Sequence, residues 1–169
     1  VRLLERVLGG AVAVAIHHYK DARIPRNEPL LTPFSGALVH FAVSNSDVYM
    51  TTNLAGLKTR FLPFNLGNEH GAGNPPNPNG SKTAYLWEDI LPRRSLTNII
   101  EQFAKFTVEK DKKTGKERKA LFFPRYHQLD VVRGILQDAQ QKGVGQTYLI
   151  QHSAGSGKSN SITWLAYQL

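Results

Sequence analysis

The sequence predicts an α/β fold, and three observations carry that reading. Short β-rich runs at 37–43, 48–52 and 147–150 alternate with stretches whose apolar residues recur at helical spacing. A Gly-rich loop at 153–159 stands between the last of those runs and a further helical pattern. Hydrophobic residues make up 41% of the 169, enough for a real core and too many for wholesale disorder. The absence of Cys excludes a disulfide scaffold and thiolate metal sites. No apolar run approaches the ~18 residues of a membrane span, so no membrane partner is expected.

Taken in order, residues 2–20 read as helix, with Leu3, Leu4, Val7, Leu8, Ala11, Val14, Ala15 and Ile16 on its apolar positions. Glu5 and Arg6 interrupt the apolar run, which argues against a signal peptide. The run 37–43 is apolar on both faces and reads as a central strand. The turn 44–47 joins it to 48–52 as a hairpin. The Gly, Asn and Pro of 65–80 predict an extended, solvated loop linking two modules. Residues 85–91 form a short amphipathic segment. Ser95 is placed to cap a helix over 96–104, with Leu96, Ile99, Ile100 and Phe103 on one face.

Net charge is +8, and the stretch 101–120 holds seven basic and four acidic residues. Within it, 109–119 reads as the tip of a hairpin turning at Thr114-Gly115, flanked by 106–108 and 120–123. Such a tip is either a solvated charge run or a contact for a polyanion such as nucleic acid. Pro124 opens a helix from Arg125 to about residue 141, lined by Leu129, Val132 and Leu136 and ended by Gly143 and Gly145. Residues 147–150 form a short buried strand that runs into the loop. The helix after the loop has Ile162, Leu165, Ala166 and Leu169 as its apolar line.

The loop Ser153-Ala-Gly-Ser-Gly-Lys-Ser159 carries the strongest chemistry. Gly155 and Gly157 let successive N–H groups converge on phosphate oxygens. A helix starting near Lys158 adds its positive end. Lys158 supplies a mobile charge for the β- and γ-phosphates, and Ser159 offers a hydroxyl to Mg²⁺. Ser153 and Ser156 complete the loop. The general pattern asks for Gly at position 152, where His152 stands. A shorter variant beginning at Ser153 is that of helicase-type motors. Upstream, Gln128 is placed to read adenine through both ends of its amide, with Arg125 nearby. Together these select ATP. The acidic residue that orients water and an arginine finger are not in this sequence, so the chain is expected to bind phosphate without hydrolysing ATP.

Several phrases occur together in order: Leu38-Val-His-Phe-Ala-Val43, Val48-Tyr-Met-Thr-Thr52, Phe61-Leu-Pro-Phe-Asn65, Gly73-Asn-Pro-Pro-Asn-Pro-Asn-Gly80, Tyr85-Leu-Trp-Glu88, Phe123-Pro-Arg-Tyr-His-Gln128 and Gln151-His-Ser-Ala-Gly-Ser-Gly-Lys-Ser-Asn160. By these the chain resembles the restriction (R) subunit of type I restriction–modification enzymes over about residues 15–169. The resemblance implies the C-terminal part of a restriction-endonuclease-like nuclease domain at 1–52 and a connector at 53–108. It implies the start of a RecA-like, ATP-binding helicase motor lobe at 109–169. It further implies a cytoplasmic enzyme that uses ATP and Mg²⁺ to translocate double-stranded DNA and cleave it, together with methyltransferase and specificity subunits. The family's nuclease Asp and Glu-x-Lys have no counterpart before Tyr19, which is left as a remnant of that centre or an ordinary helix aromatic. His17 and His18 are adjacent, face different directions on a helix and make a poor metal pair. The initial Val and the stop within a helical pattern read as a fragment. The alternative is a remnant that only binds nucleotide, DNA or partner subunits without catalysis.

Overall fold

A computed structural model describes residues 10–23, 25, 27–69, 71–110, 115 and 117–169, with the side chains of 109 and 118 excepted. Residues 2–9 of the expected N-terminal helix, and Thr114 of the expected turn, lie outside the described residues. The chain is mixed α/β, with two small sheets and several helices. Helix α1 (Gly10–Asp21) leads into a 3₁₀ turn at Pro29–Leu31. Strands β1 (His40–Val43), β2 (Val48–Thr51) and β3 (Leu62–Pro63) form an antiparallel sheet in that order. A π-type turn at Leu86–Ile90 precedes α2 (Arg93–Gln102). A second hairpin pairs β4 (Lys105–Lys110) with β5 (Glu117–Phe122). Helices α3 (Tyr126–Lys142) and α4 (Lys158–Gln168) complete the fold.

The first hairpin forms as expected, with His40 opposite Thr51 and Val43 opposite Val48. It begins three residues later than the β-rich run, and β1 is an edge strand rather than a central one. Its two-sided apolarity has another cause. Ala42 and Tyr49 face α1, packing with Val12 and Ile16, whereas Val48 and Met50 face the main core. Helix α1 buries Val12, Ala13 and Ile16 but leaves Val14 57% exposed, so the expected apolar face is rotated.

The 65–80 segment is a loop, but a pinned one. Asn74, only 5% exposed, donates from Nδ2 to the Ser46 carbonyl (2.8 Å) and to Asn65 Oδ1 (3.0 Å). Its Oδ1 accepts the Leu66 amide at 2.8 Å. Asn65 in turn accepts the Val48 amide (2.8 Å) and donates to Asp47 (2.9 Å). The short amides that make such a sequence look solvated here satisfy backbone groups of the β1–β2 turn.

Ser95 is not the cap of α2. That helix starts at Arg93 after Pro92, and Ser95 accepts from Arg133 on α3 (3.1 Å), which also holds Asn98 (2.8 Å). Ile99 and Phe103 are fully buried, whereas Ile100 is exposed. One core joins Val48, Met50, Phe64, Tyr85, Leu86, Ile90, Ile99, Phe103, Phe123, Leu129, Val132 and Trp164. It thus draws residues from all three segments divided at 52 and 108.

The expected strand at 147–150 does not form. Leu149 is 95% exposed, and Tyr148 bonds through its hydroxyl to Asp138 on α3 (2.9 Å), which also pairs with Lys142 (2.6 Å). A lone extended segment leaves its backbone groups without ladder partners, and no described strand lies beside this one. Helix α4 turns correspondingly. It buries Ser161 and Trp164, while Ile162 and Leu169 of the expected apolar line are exposed.

Candidate nucleotide site

The loop between residue 150 and α4 takes the backbone shape its glycines permit. Gly155 and Gly157 have φ of 73° and 83°, in the left-handed region, and α4 begins directly at Lys158. A helix's first amides have no intrahelical acceptor. Among the described residues, no hydrogen bond uses the amides of Gly155, Gly157, Lys158 or Ser159. These donors stand at the positive end of α4.

Three side chains of the Phe123-Pro-Arg-Tyr-His-Gln128 phrase, those of Arg125, His127 and Gln128, bond to the loop. Gln128, 3% exposed, accepts the Arg125 amide at Oε1 (2.9 Å), capping α3. Its Nε2 donates to the carbonyls of Gly157 (2.9 Å) and Ser156 (3.3 Å). Both ends of its amide therefore serve backbone, and in this arrangement it presents no free edge to a base. A Cβ at Gly157 would collide with that Nε2, a second reason for glycine there. Arg125 reaches the Gly155 carbonyl at 3.4 Å. Its pKa is lowered by burial and by Arg60.

Residue types singled out in the sequence therefore meet: Ser153, Gly155, Ser156, Gly157, Lys158, Ser159, Arg125 and Gln128 share one corner. Lys158 Nζ folds back on its own loop, donating to the carbonyls of His152 and Ser153 at 3.0 Å each. Ser159 is exposed in the first turn of α4. Tyr19 lies elsewhere. Its ring packs against His40 (5.8 Å) and Phe61 (5.6 Å), under the Arg23 guanidinium (5.0 Å). His17 pairs with Asp21 at 2.9 Å, and His18 accepts from Arg23 at 3.3 Å.

An open cleft of about 680 Å³ runs from this corner to the first sheet. Ser153, Ser156, Arg125 and His127 line one side, and Asp47, Tyr49, Asn65, Leu66, Gly67 and residues 71–73 line the other. Two polar atoms at the loop, Ser156 Oγ and His152 Nδ1, are buried without a partner among the described residues. His127 was missed in the sequence, although it stands next to Gln128. It donates from Nε2 to Ser156 O (3.0 Å) and packs edge-on against His152 (4.8 Å). The opposite wall had no local signal, because it arrives through contacts dozens of residues away.

Burial lowers the His127 pKa, with His152 and Arg125 adding to the effect and the Ser156 hydrogen bond opposing it. Burial and Arg23 lower that of His40. In the unfolded chain both titrate near the ordinary value of about 6.5. Between the lowered folded values and about 6.5 the unfolded state binds more protons. Their contribution is thus complete above about pH 6.5 and lost as pH falls through the folded values. Thermal midpoints are expected to drop from pH 7.5 to pH 5.5, and the drop should shrink in His40→Phe. An equal slope in that variant would remove His40 from the cause.

No known protein family, curated protein or solved structure matches the chain. Among the described residues, no helix is long and apolar enough to cross a membrane.

Proposed function

We propose that the chain binds ATP with Mg²⁺ in this cleft, as part of the R subunit of a type I restriction–modification enzyme. The observation that carries the nucleotide reading is the unengaged row of loop amides at the head of α4, in a loop whose Ser153 and Ser156 line the cleft and whose Ser156 hydroxyl is buried without a partner among the described residues. Four donors, a positive helix end and a mobile lysine suit a polyphosphate better than any uncharged ligand. The Ser159 hydroxyl would hold Mg²⁺, which neutralises phosphate charge when bound.

The subunit assignment is supported by the ordered phrases from residue 38 to residue 160. On this reading 1–52 derives from a restriction-endonuclease-like core and 109–169 opens a RecA-like motor lobe. Double-stranded DNA and the methyltransferase and specificity subunits are the partners, in the cytoplasm. The whole enzyme translocates and cleaves DNA, and the part supported for this chain is nucleotide binding.

The test is competition against a fluorescent ATP analogue in Mg²⁺. ATP and ADP should displace it, and AMP and adenosine should not, because phosphate contacts dominate. Displacement by adenosine as effective as by ADP, or no binding of the analogue, would refute the phosphate-loop assignment.

A further inference from the structure

The second hairpin presents a surface that the nucleotide cleft does not use. Strand register places Phe106 opposite Leu121, Val108 opposite Lys119 and Lys110 opposite Glu117 on one face. The other face turns toward α4. There Lys105 Nζ lies over the Tyr167 ring at 4.1 Å, and Lys105, Thr107 and Phe122 line a hollow with Trp164. At its base Leu121 is buried, but beyond it, among the described residues, the first face has no such cover. Phe106 and Val108 are each 58% exposed, and Lys110 and Lys119 are exposed beside them.

Phe34 extends this face. Its ring stands 6.1 Å from Phe106, tilted by 54°, and it is itself 41% exposed. Its φ is 67°, a conformation that is costly for an aromatic residue. The fold therefore holds a strained residue so that its ring lies half in water beside another. The two rings, with Thr107, Val108 and Lys119, line a shallow cleft of about 290 Å³.

Charge indicates what this surface accepts. Over 105–119 the sequence has seven basic and three acidic residues; those described on this face are Lys110, Lys119 and Glu117, with Glu117 pairing with Lys110 at 4.0 Å. A purely apolar partner would gain nothing from that excess, whereas a phosphodiester backbone would. Exposed aromatic faces interleaved with lysines form the platform on which unpaired bases stack. A duplex keeps its base faces stacked internally and offers them to no such platform. We infer that the Phe34–Phe106 cleft binds single-stranded nucleic acid, with a base stacked on Phe106 and the backbone phosphates drawn to Lys119 and Lys110.

The experiment is fluorescence anisotropy of a labelled oligothymidylate with the whole 169-residue chain. Phe106→Ala should weaken binding roughly tenfold, and Phe106→Tyr should retain it, because the stacking face survives. Lys119→Gln should reduce the salt slope by about 0.7, the value for one phosphate contact on a single strand. Phe106→Ala should leave binding of the fluorescent ATP analogue unchanged, which separates this surface from the nucleotide loop. A melting curve on Phe106→Ala checks that the exposed substitution leaves the fold intact. Absence of oligonucleotide binding, binding indifferent to Phe106→Ala in a folded variant, or equal affinity for a duplex would overturn the inference. So would self-association of the chain that Phe106→Ala abolishes, since a second copy would then be the occupant.

Discussion

Replacing Lys158 by alanine is expected to lower ATP affinity by roughly 10- to 100-fold while leaving the melting temperature nearly unchanged. A charge-assisted hydrogen bond is worth about 1.5–3 kcal/mol, and each 1.4 kcal/mol is tenfold in affinity. The small stability effect follows from exposure. Lys158 Nζ bridges the His152 and Ser153 carbonyls at the surface, where water replaces it on truncation. The same bridge ties Lys158 to its own loop, so nucleotide must draw the amine away from two carbonyls toward phosphate. Part of the gain is thereby offset, which is why the expected loss stays within two orders of magnitude. Titration of parent and variant with a fluorescent ATP analogue, alongside thermal melts, makes the check. Equal affinities would remove the loop from the site, and a large loss of stability would make Lys158 a structural rather than a ligand-binding group.

The part of this site that was legible in the sequence is the part whose geometry is local. Gly155, Gly157 and Lys158 dictate a turn and a helix start within five residues. Gln128 reads in the sequence as an adenine contact, and the structure shows its amide engaged with backbone. An amide able to donate and accept suits adenine, and the same capacity here caps α3 and holds two loop carbonyls. The cleft's far wall was not legible, since Asp47 and Asn65 reach it through a hydrogen-bonded loop closed over long sequence separations. Periodicity found the helices and the core face of α3, where Leu129 and Val132 are buried, but misassigned the faces of α1 and α4. In α4 the decisive residue is Trp164, whose ring packs on Phe103 at 5.6 Å and turns Ile162 outward. Strand signals failed at 147–150 because a β-rich run specifies a strand only where a neighbour supplies the ladder.

Phe64→Ala is expected to cost about 3–5 kcal/mol, the range for truncating a buried aromatic residue. Phe64 is fully buried, and its ring meets Phe41 at 5.3 Å and Tyr126 at 6.0 Å, both edge-on. Its carbonyl accepts the Tyr85 hydroxyl at 2.8 Å, and burial raises the pKa of that phenol, which stays a donor. Few atoms can move to fill the void, because three neighbouring aromatic rings are held by other contacts. The measurement is urea unfolding followed by Trp164 emission in a Trp87→Phe background, since the chain has two tryptophans and only Trp164 is buried. Leu57→Ala, 75% exposed, serves as a control with a change within about 0.5 kcal/mol. If the segments divided at 52 and 108 folded independently, a cavity at Phe64 would leave the transition seen at Trp164 in place. A shared core requires the reverse: truncation at Phe64 shifts or abolishes that transition. Nucleotide affinity should fall with it, because Phe64 packs against Tyr126 at the start of the helix that carries Arg125, His127 and Gln128 to the loop.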